Sequence, residues 1–189
     1  GAGGYGGIFL ASPAGSISRL YDTNTVVPGG NGGTFTGLGG VFDSGCVAFY
    51  GAGGGQGGIY SDVSGQLEVI ADFSTPVPGF PGMTFNGFGS VAIDDGVVAF
   101  TGLAPGGFLG VFSTHGGSLG KVLANGDLLD GRIVEDAFIG GQALDGDSIA
   151  ISVVFTNGTR GIYMATIPAP GTALLLACGI GAAARRRRP

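Results

Sequence analysis

The sequence predicts an all-β, β-propeller-like body of about three tandem four-stranded repeats, a fragment of a larger ring, followed by a short hydrophobic C-terminal helix. Three observations carry this expectation. An apolar-aromatic tetrapeptide returns at near-constant spacing: GGIF at 6–9, GGIY at 57–60, LGVF at 109–112 and RGIY at 160–163. Its third residues, Ile8, Ile59, Val111 and Ile162, lie 51, 52 and 51 residues apart. Self-similarity at such a period is the mark of a repeat architecture. Between the tetrapeptides, short alternating runs are punctuated by Gly and Pro, which favours strands and turns over helix. The last stretch, 168–189, then abandons this pattern for an apolar run capped by arginines.

The elements of one repeat follow in order from the second copy. Residues 58–62 form a short apolar-aromatic strand, and Gly65-Gln66 turns the chain. Residues 66–72 alternate Leu67, Val69 and Ala71 against Glu68, Ile70 and Asp72, the pattern of a second strand. The stretch 75–79, Thr-Pro-Val-Pro-Gly, stops it, because proline has no N–H to give to a ladder. Residues 83–93 hold a third strand, Asp94-Asp95-Gly96 is a tight hairpin turn, and 97–101 is the fourth strand. Four short strands per fifty-residue unit match a propeller blade. A second series, Val47, Val98 and Ile149, keeps the 51-residue step, and Asp22, Asp72 and Asn125 form a looser third. The repeats are placed at about 8–58, 59–110 and 111–161, within a body of 1–167.

At Gly45-Cys-Val-Ala-Phe49 and Gly96-Val-Val-Ala-Phe100 the chain is similar to the NxxGxxAF tandem-repeat proteins, a group that carries interchangeable C-terminal anchors. The Asn position is Phe42 in one copy and Ile93 in the other; in the next copy Asp147 and Ile151 replace Gly and Phe. The resemblance supplies no catalytic residue. The first residues, 1–9, mirror the loop and strand at 51–60, so the chain begins inside a repeat, without an initiator Met or a signal peptide. We therefore expect a fragment or a processed form, whose upstream repeats are missing or whose units make an open, curved stack.

Composition narrows the function. The chain has 43 glycines and 9 prolines among 189 residues, yet enough Val, Ile, Leu and Phe to build a core. Before the tail, thirteen acids face four bases (Arg19, Lys121, Arg132, Arg160), and the whole chain stands at −5. An acidic body argues against nucleic acid, which selects a basic footprint. Cys46 lies in the body and Cys178 in the apolar run, so no bridge between them is expected.

The tail reads Pro168, Ala169, Pro170, Gly171, an apolar run over 172–184, then Arg185, Arg186, Arg187 and Arg188. As a helix the run would span about 20 Å at about 1.5 Å per residue, short of the roughly 30 Å hydrocarbon core, so it suits a transient sorting element better than a permanent anchor. Terminal arginines favour the cytoplasmic side and leave the body on the other face of a membrane. The stretch 168–189 resembles a PEP-CTERM sorting signal: Pro168 and Pro170 match the two family prolines, with Ala169 where the family has Glu. That resemblance implies an exported bacterial protein, handled by an exosortase-type transpeptidase at the membrane and associated with extracellular polysaccharide.

Side chains with catalytic or ligating chemistry are few. His115, the only histidine, sits in Thr-His-Gly-Gly and reads as a solvated turn residue rather than a base or metal ligand. Ser113, His115 and an Asp compose a triad only on paper, for no nucleophile elbow surrounds them. The glycine loops 29–33 and 51–58 precede strands, whereas a phosphate cradle needs a helix N-terminus. Acids gather at turns (Asp94-Asp95, 127–130, Glu135-Asp136, Asp145 and Asp147), where local capping explains them more simply than calcium. Phe35, Phe49, Tyr60, Phe85 and Phe100 recur with the repeat and read as core between units rather than a sugar-stacking platform. Asn157-Gly-Thr159 reads as a turn. The expectation is an exported, non-enzymatic surface or matrix protein without cofactor or metal; a carbohydrate-binding or calcium-dependent adhesion module is the alternative, and a polysaccharide-acting enzyme stands behind both.

Overall fold

The computed structural model describes residues 6–167 and is all-β, with no helix among them. The predicted C-terminal helix and the sorting residues Pro168, Pro170, Gly171 and Arg185 to Arg188 lie outside the described residues. The first sheet is a hairpin of β1 (Gly7–Ala11) and β2 (Ile17–Asp22). The second is the meander β3 (Phe35–Asp43), β4 (Cys46–Gly53), β5 (Gln56–Ser61) and β6 (Glu68–Asp72). The third repeats it with β7 (Gly87–Asp94), β8 (Val97–Ala104), β9 (Phe108–Ser113) and β10 (Gly120–Ala124). The fourth contains β11 (Leu128–Leu129), β12 (Arg132–Phe138), β13 (Leu144–Asp145), β14 (Ser148–Phe155) and β15 (Arg160–Thr166). All pairings are antiparallel.

The four strands anticipated over 58–101 are all present, as β5, β6, β7 and β8, but they belong to two sheets. A sheet takes its inner hairpin from one sequence unit and its outer hairpin from the next, so units counted from the GGIY motif straddle a sheet boundary. β1 and β2 correspond to β5 and β6, and supply only the outer half of the first sheet.

Alternation explains the stacking. In β4, Val47 and Phe49 point to the first sheet while Ala48 points to the third. In β8, Val98 and Phe100 point back to the second sheet and Ala99 points to the fourth. Sheets buried on both faces lose the simple polar-out pattern, which is why Gly-Cys-Val-Ala-Phe reads as a continuous apolar run. Three cores result, one per joint between successive sheets. Among the described residues the sheets do not close into a ring: Phe9 on the outer face of β1 is 53% exposed and Ile162 on that of β15 is 82% exposed.

The turn at Asp95-Gly96 has positive φ at both residues (43° and 78°), the conformation of a two-residue hairpin loop whose twist matches its strands. Ser44-Gly45 and Asp130-Gly131 do the same. Between sheets the chain crosses by a repeated loop. Thr25 O accepts from Phe35 N–H, and Thr75 O from Phe85 N–H. In the third crossing Asp127 O accepts from Val134 N–H, which closes the loop three residues sooner. The inner strand of the fourth sheet then breaks between β12 and β13 and takes up additional residues, so the 51-residue step survives.

Candidate functional site

The recurrent aromatics form a triad in each of the first two joints. Phe35, Phe49 and Tyr60 meet with ring centroids 5.0–5.7 Å apart, and Phe85, Phe100 and Phe112 repeat the group at 4.9–5.8 Å. Such edge and offset contacts add modestly to the burial of the rings. All six are fully or almost fully buried, so they hold sheets together and offer no ligand platform. Tyr60 brings a hydroxyl that has no hydrogen-bond partner. Burial, with Asp72 nearby, pushes this phenol up to about 12.

Asp22 and Asp72 close the outer strands of the first two sheets. Asp72 N–H donates to Thr75 Oγ1 at 2.9 Å, and its Oδ1 accepts from Ser74 N–H at 2.9 Å, Ser74 Oγ at 2.7 Å and Thr75 Oγ1 at 2.9 Å. Asp22 makes the same turn with Asn24 and Thr25, and adds Arg19 at 2.8 Å. The Asn24 N–H holds the Asp22 carboxyl below the usual range, aided by Arg19, against the effect of burial. For Asp72 burial opposes ionisation, yet the Ser74 and Thr75 donors outweigh it and lower its pKa. In the third copy Ala124, not Asn125, takes this place. The carboxylate moves to the last position of the turn, where Asp127 Oδ2 accepts Ala124 N–H at 2.9 Å and Oδ1 meets Lys121 Nζ at 2.6 Å. The third Asp/Asn series therefore marks one turn with two solutions.

The acids at hairpin tips join consecutive sheets, a role the sequence reading missed. Asp43 Oδ2 accepts from Asp95 N–H at 3.2 Å, and Asp94 Oδ2 from Gly146 N–H at 2.6 Å. The 51-residue step from Asp43 to Asp94 to Asp145 was a legible signal for it. Asp62 ties two sheets as well: it accepts Val47 N–H at 2.7 Å and Tyr21 Oη at 2.9 Å. Burial and that bond to Asp62 push the Tyr21 phenol up to about 12. A groove of about 340 Å³ runs past these tips, lined by Phe42, Asp43, Asp94 and Gln142 among others.

The expectation of a solvated histidine needs correction. His115 lies in the expected turn after β9, but its side chain is only 7% exposed, and neither ring nitrogen makes a hydrogen bond. The nearest carboxylate oxygen, Asp147 Oδ1, is 3.6 Å from Nε2. The short Gly-Gly turn folds the ring back on the structure rather than into water. Ser113 Oγ accepts the backbone N–H of His115, not its ring, so the paper triad is not assembled. Among the described residues no three His, Cys, Asp or Glu side chains are grouped to hold a metal ion. Cys46 is a free thiol packed against the joint between the second and third sheets. Asn157 Oδ1 accepts Thr159 N–H and Oγ1 in the turn between β14 and β15.

These features define a tandem-repeat protein of stacked antiparallel sheets, whose recurrent side chains serve the joints between sheets. No protein-family model, curated protein or solved structure matches the chain.

Proposed function

We propose that the chain is an exported, non-enzymatic cell-surface or extracellular-matrix protein, with a β-propeller-like scaffold as its body and a PEP-CTERM-like sorting signal at its end. Sequential four-stranded meanders stacked in chain order support the propeller-like reading. The observation that carries the scaffold role is where the recurring chemistry is spent: aromatic triads, capping aspartates and tip carboxylates all serve joints and turns. Such repeats set a shape and tolerate extension, as stacked architectures do. The order of Pro168, Pro170 and Gly171, the apolar run and Arg185 to Arg188 supports delivery through the membrane by an exosortase-type enzyme, toward a polysaccharide-rich exterior.

The sorting half is tested by fusing 168–189 to a secreted reporter in an exosortase-bearing host. Envelope retention that is lost when the four arginines become alanine supports it; secretion of both forms overturns it. The scaffold half is tested on a glycan array with and without calcium. Calcium-dependent binding that chelator abolishes would replace the scaffold reading with an adhesion module.

A further inference from the structure

We propose that Asn31 is a site of spontaneous covalent modification, whose side-chain amide closes onto the Gly32 nitrogen and ages to aspartyl and isoaspartyl forms that loosen the crossing between the first and second sheets. Asn-Gly pairs are the most prone to this reaction, because glycine leaves the attacking nitrogen unhindered. The chain has four such pairs, at Asn31, Asn86, Asn125 and Asn157. The fold restrains three of them. Gly158 N–H donates to Phe155 O at 2.8 Å, and Asn157 Oδ1 accepts twice from Thr159. Gly126 N–H donates to Val134 O at 2.9 Å, and Asn125 Nδ2 to Glu135 O at 2.6 Å. Gly87 is held in β7 opposite Leu103, and Asn86 N–H donates to Leu103 O at 3.0 Å. Asn31 and Gly32 are both exposed. Neither the Asn31 amide nor the Gly32 N–H has a partner among the described residues, and the space beside Gly32 is open. This exposure belongs to the repeat position. Pro81-Gly82, at the same place in the second crossing, is exposed as well, although that crossing joins two four-stranded sheets.

Gly33 N–H donates to Gly30 O at 2.9 Å, and Gly32 has a φ of 78°, so Asn31 holds the second place of a tight turn. Such turns accept proline there, as Pro81 does in the second crossing, and the first crossing alone puts a reactive side chain in that place. When the turn opens locally, the Gly32 nitrogen gives its proton to hydroxide and bonds to Asn31 Cγ. The Cγ–Nδ2 bond breaks, ammonia leaves and a cyclic imide remains. Water then opens the ring. Cleavage of the new Cγ–N bond leaves an aspartate, and cleavage at the backbone carbonyl leaves a main chain that runs through Cγ and is one carbon longer. Each product carries an added negative charge, and the longer chain cannot close the Gly33–Gly30 bond over the same span. Gly33 has little freedom to follow. A β-carbon on it would collide with Gly54 in the turn between β4 and β5, and its carbonyl accepts from Val27 N–H, a residue of the first core. Displacing Gly33 therefore disturbs the first joint.

The test ages the full 189-residue chain in mild detergent at mildly alkaline pH, cleaves it before its aspartates and locates the amide-to-acid mass gain by fragmentation, with isoaspartate scored by enzymatic methyl transfer. Asn31 lies in the 22–42 peptide, where fragmentation separates it from Asn24. In the folded chain we expect Asn31 to convert at least about tenfold faster than Asn125 or Asn157, which must first break the bonds that hold them; in urea the four sites should convert at comparable rates. Amide exchange at Gly33 and Val27 should quicken as Asn31 converts. Asn31→Pro should prevent both changes while keeping the Gly33 protection of the fresh chain. Equal folded-state rates at Asn31 and Asn157, or an Asn31 that persists while the unfolded chain converts, would overturn the assignment. Conversion that leaves exchange at Gly33 and Val27 unchanged would overturn the loosening.

Discussion

At Gly51 and Gly102 the absent side chain makes room for a ring. A β-carbon on either residue would lie 2.5 Å from the ring of Phe35 or Phe85, closer than real contacts allow. The fourth sheet resolves the same space differently: Val134 stands where Phe35 and Phe85 stand, and Val153 where the glycines stand, both fully buried. Large-plus-small has become medium-plus-medium, with Phe155 restoring a ring from β14. Gly102→Val alone should therefore cost about 1–3 kcal/mol by overpacking. Phe85→Val alone should cost a similar amount through the cavity left. The double variant should lose at least about 1 kcal/mol less than the two added together, a coupling that a urea double-mutant cycle reads directly. Tyr60 offers the opposite case. Its hydroxyl is buried without a partner and its counterpart is Phe112, so Tyr60→Phe should leave stability within about 1 kcal/mol of the parent or above it. A fall in Tm of many degrees would show that the hydroxyl is bonded.

The turn that ends β2 and β6 is an electrostatic element. Both Asp22 and Asp72 ionise below the ordinary carboxyl value of 3.8 in the folded chain. As acid is added, the unfolded chain takes up protons first, so their contribution is complete above that value and lost as pH falls through the lowered folded pKa. Replacing both by Asn should reduce stability at neutral pH yet flatten its decline between about pH 4 and 2, measured as denaturation midpoints across that range. Much of this element was legible, because Asp-x-x-Thr followed by Pro-Gly is turn chemistry with a local cause. The third copy was not legible, since Ala124 and Asp127 exchange the roles of the two ends and only the hydrogen bonds show it. His115 was misread for a related reason: Gly116-Gly117 promises a turn, but the direction in which a turn throws its neighbour depends on what lies beside it.

Across the molecule, stability should be graded from the middle outward. The second and third sheets are covered on both faces, while the first is a two-strand hairpin with an exposed Phe9 and the fourth leaves Ile162 in water. Repeat stacks behave as chains of nearest-neighbour joints, and end units open most readily. Amide exchange should be fastest in β1–β2 and along the outer edge of β15, and slowest in β4, β5, β8 and β9; uniform protection from end to end would refute this. Local alternation, glycine spacing and turn residues dictated the all-β class, the strands of each unit and the period, because those follow from backbone sterics and near-neighbour hydrogen bonding. Which strands share a sheet, which acid reaches the next sheet and where Phe42 is left uncovered depended on contacts some fifty residues away. Such contacts are chosen by packing between faces, and a linear pattern records the residues available for it without recording their partners.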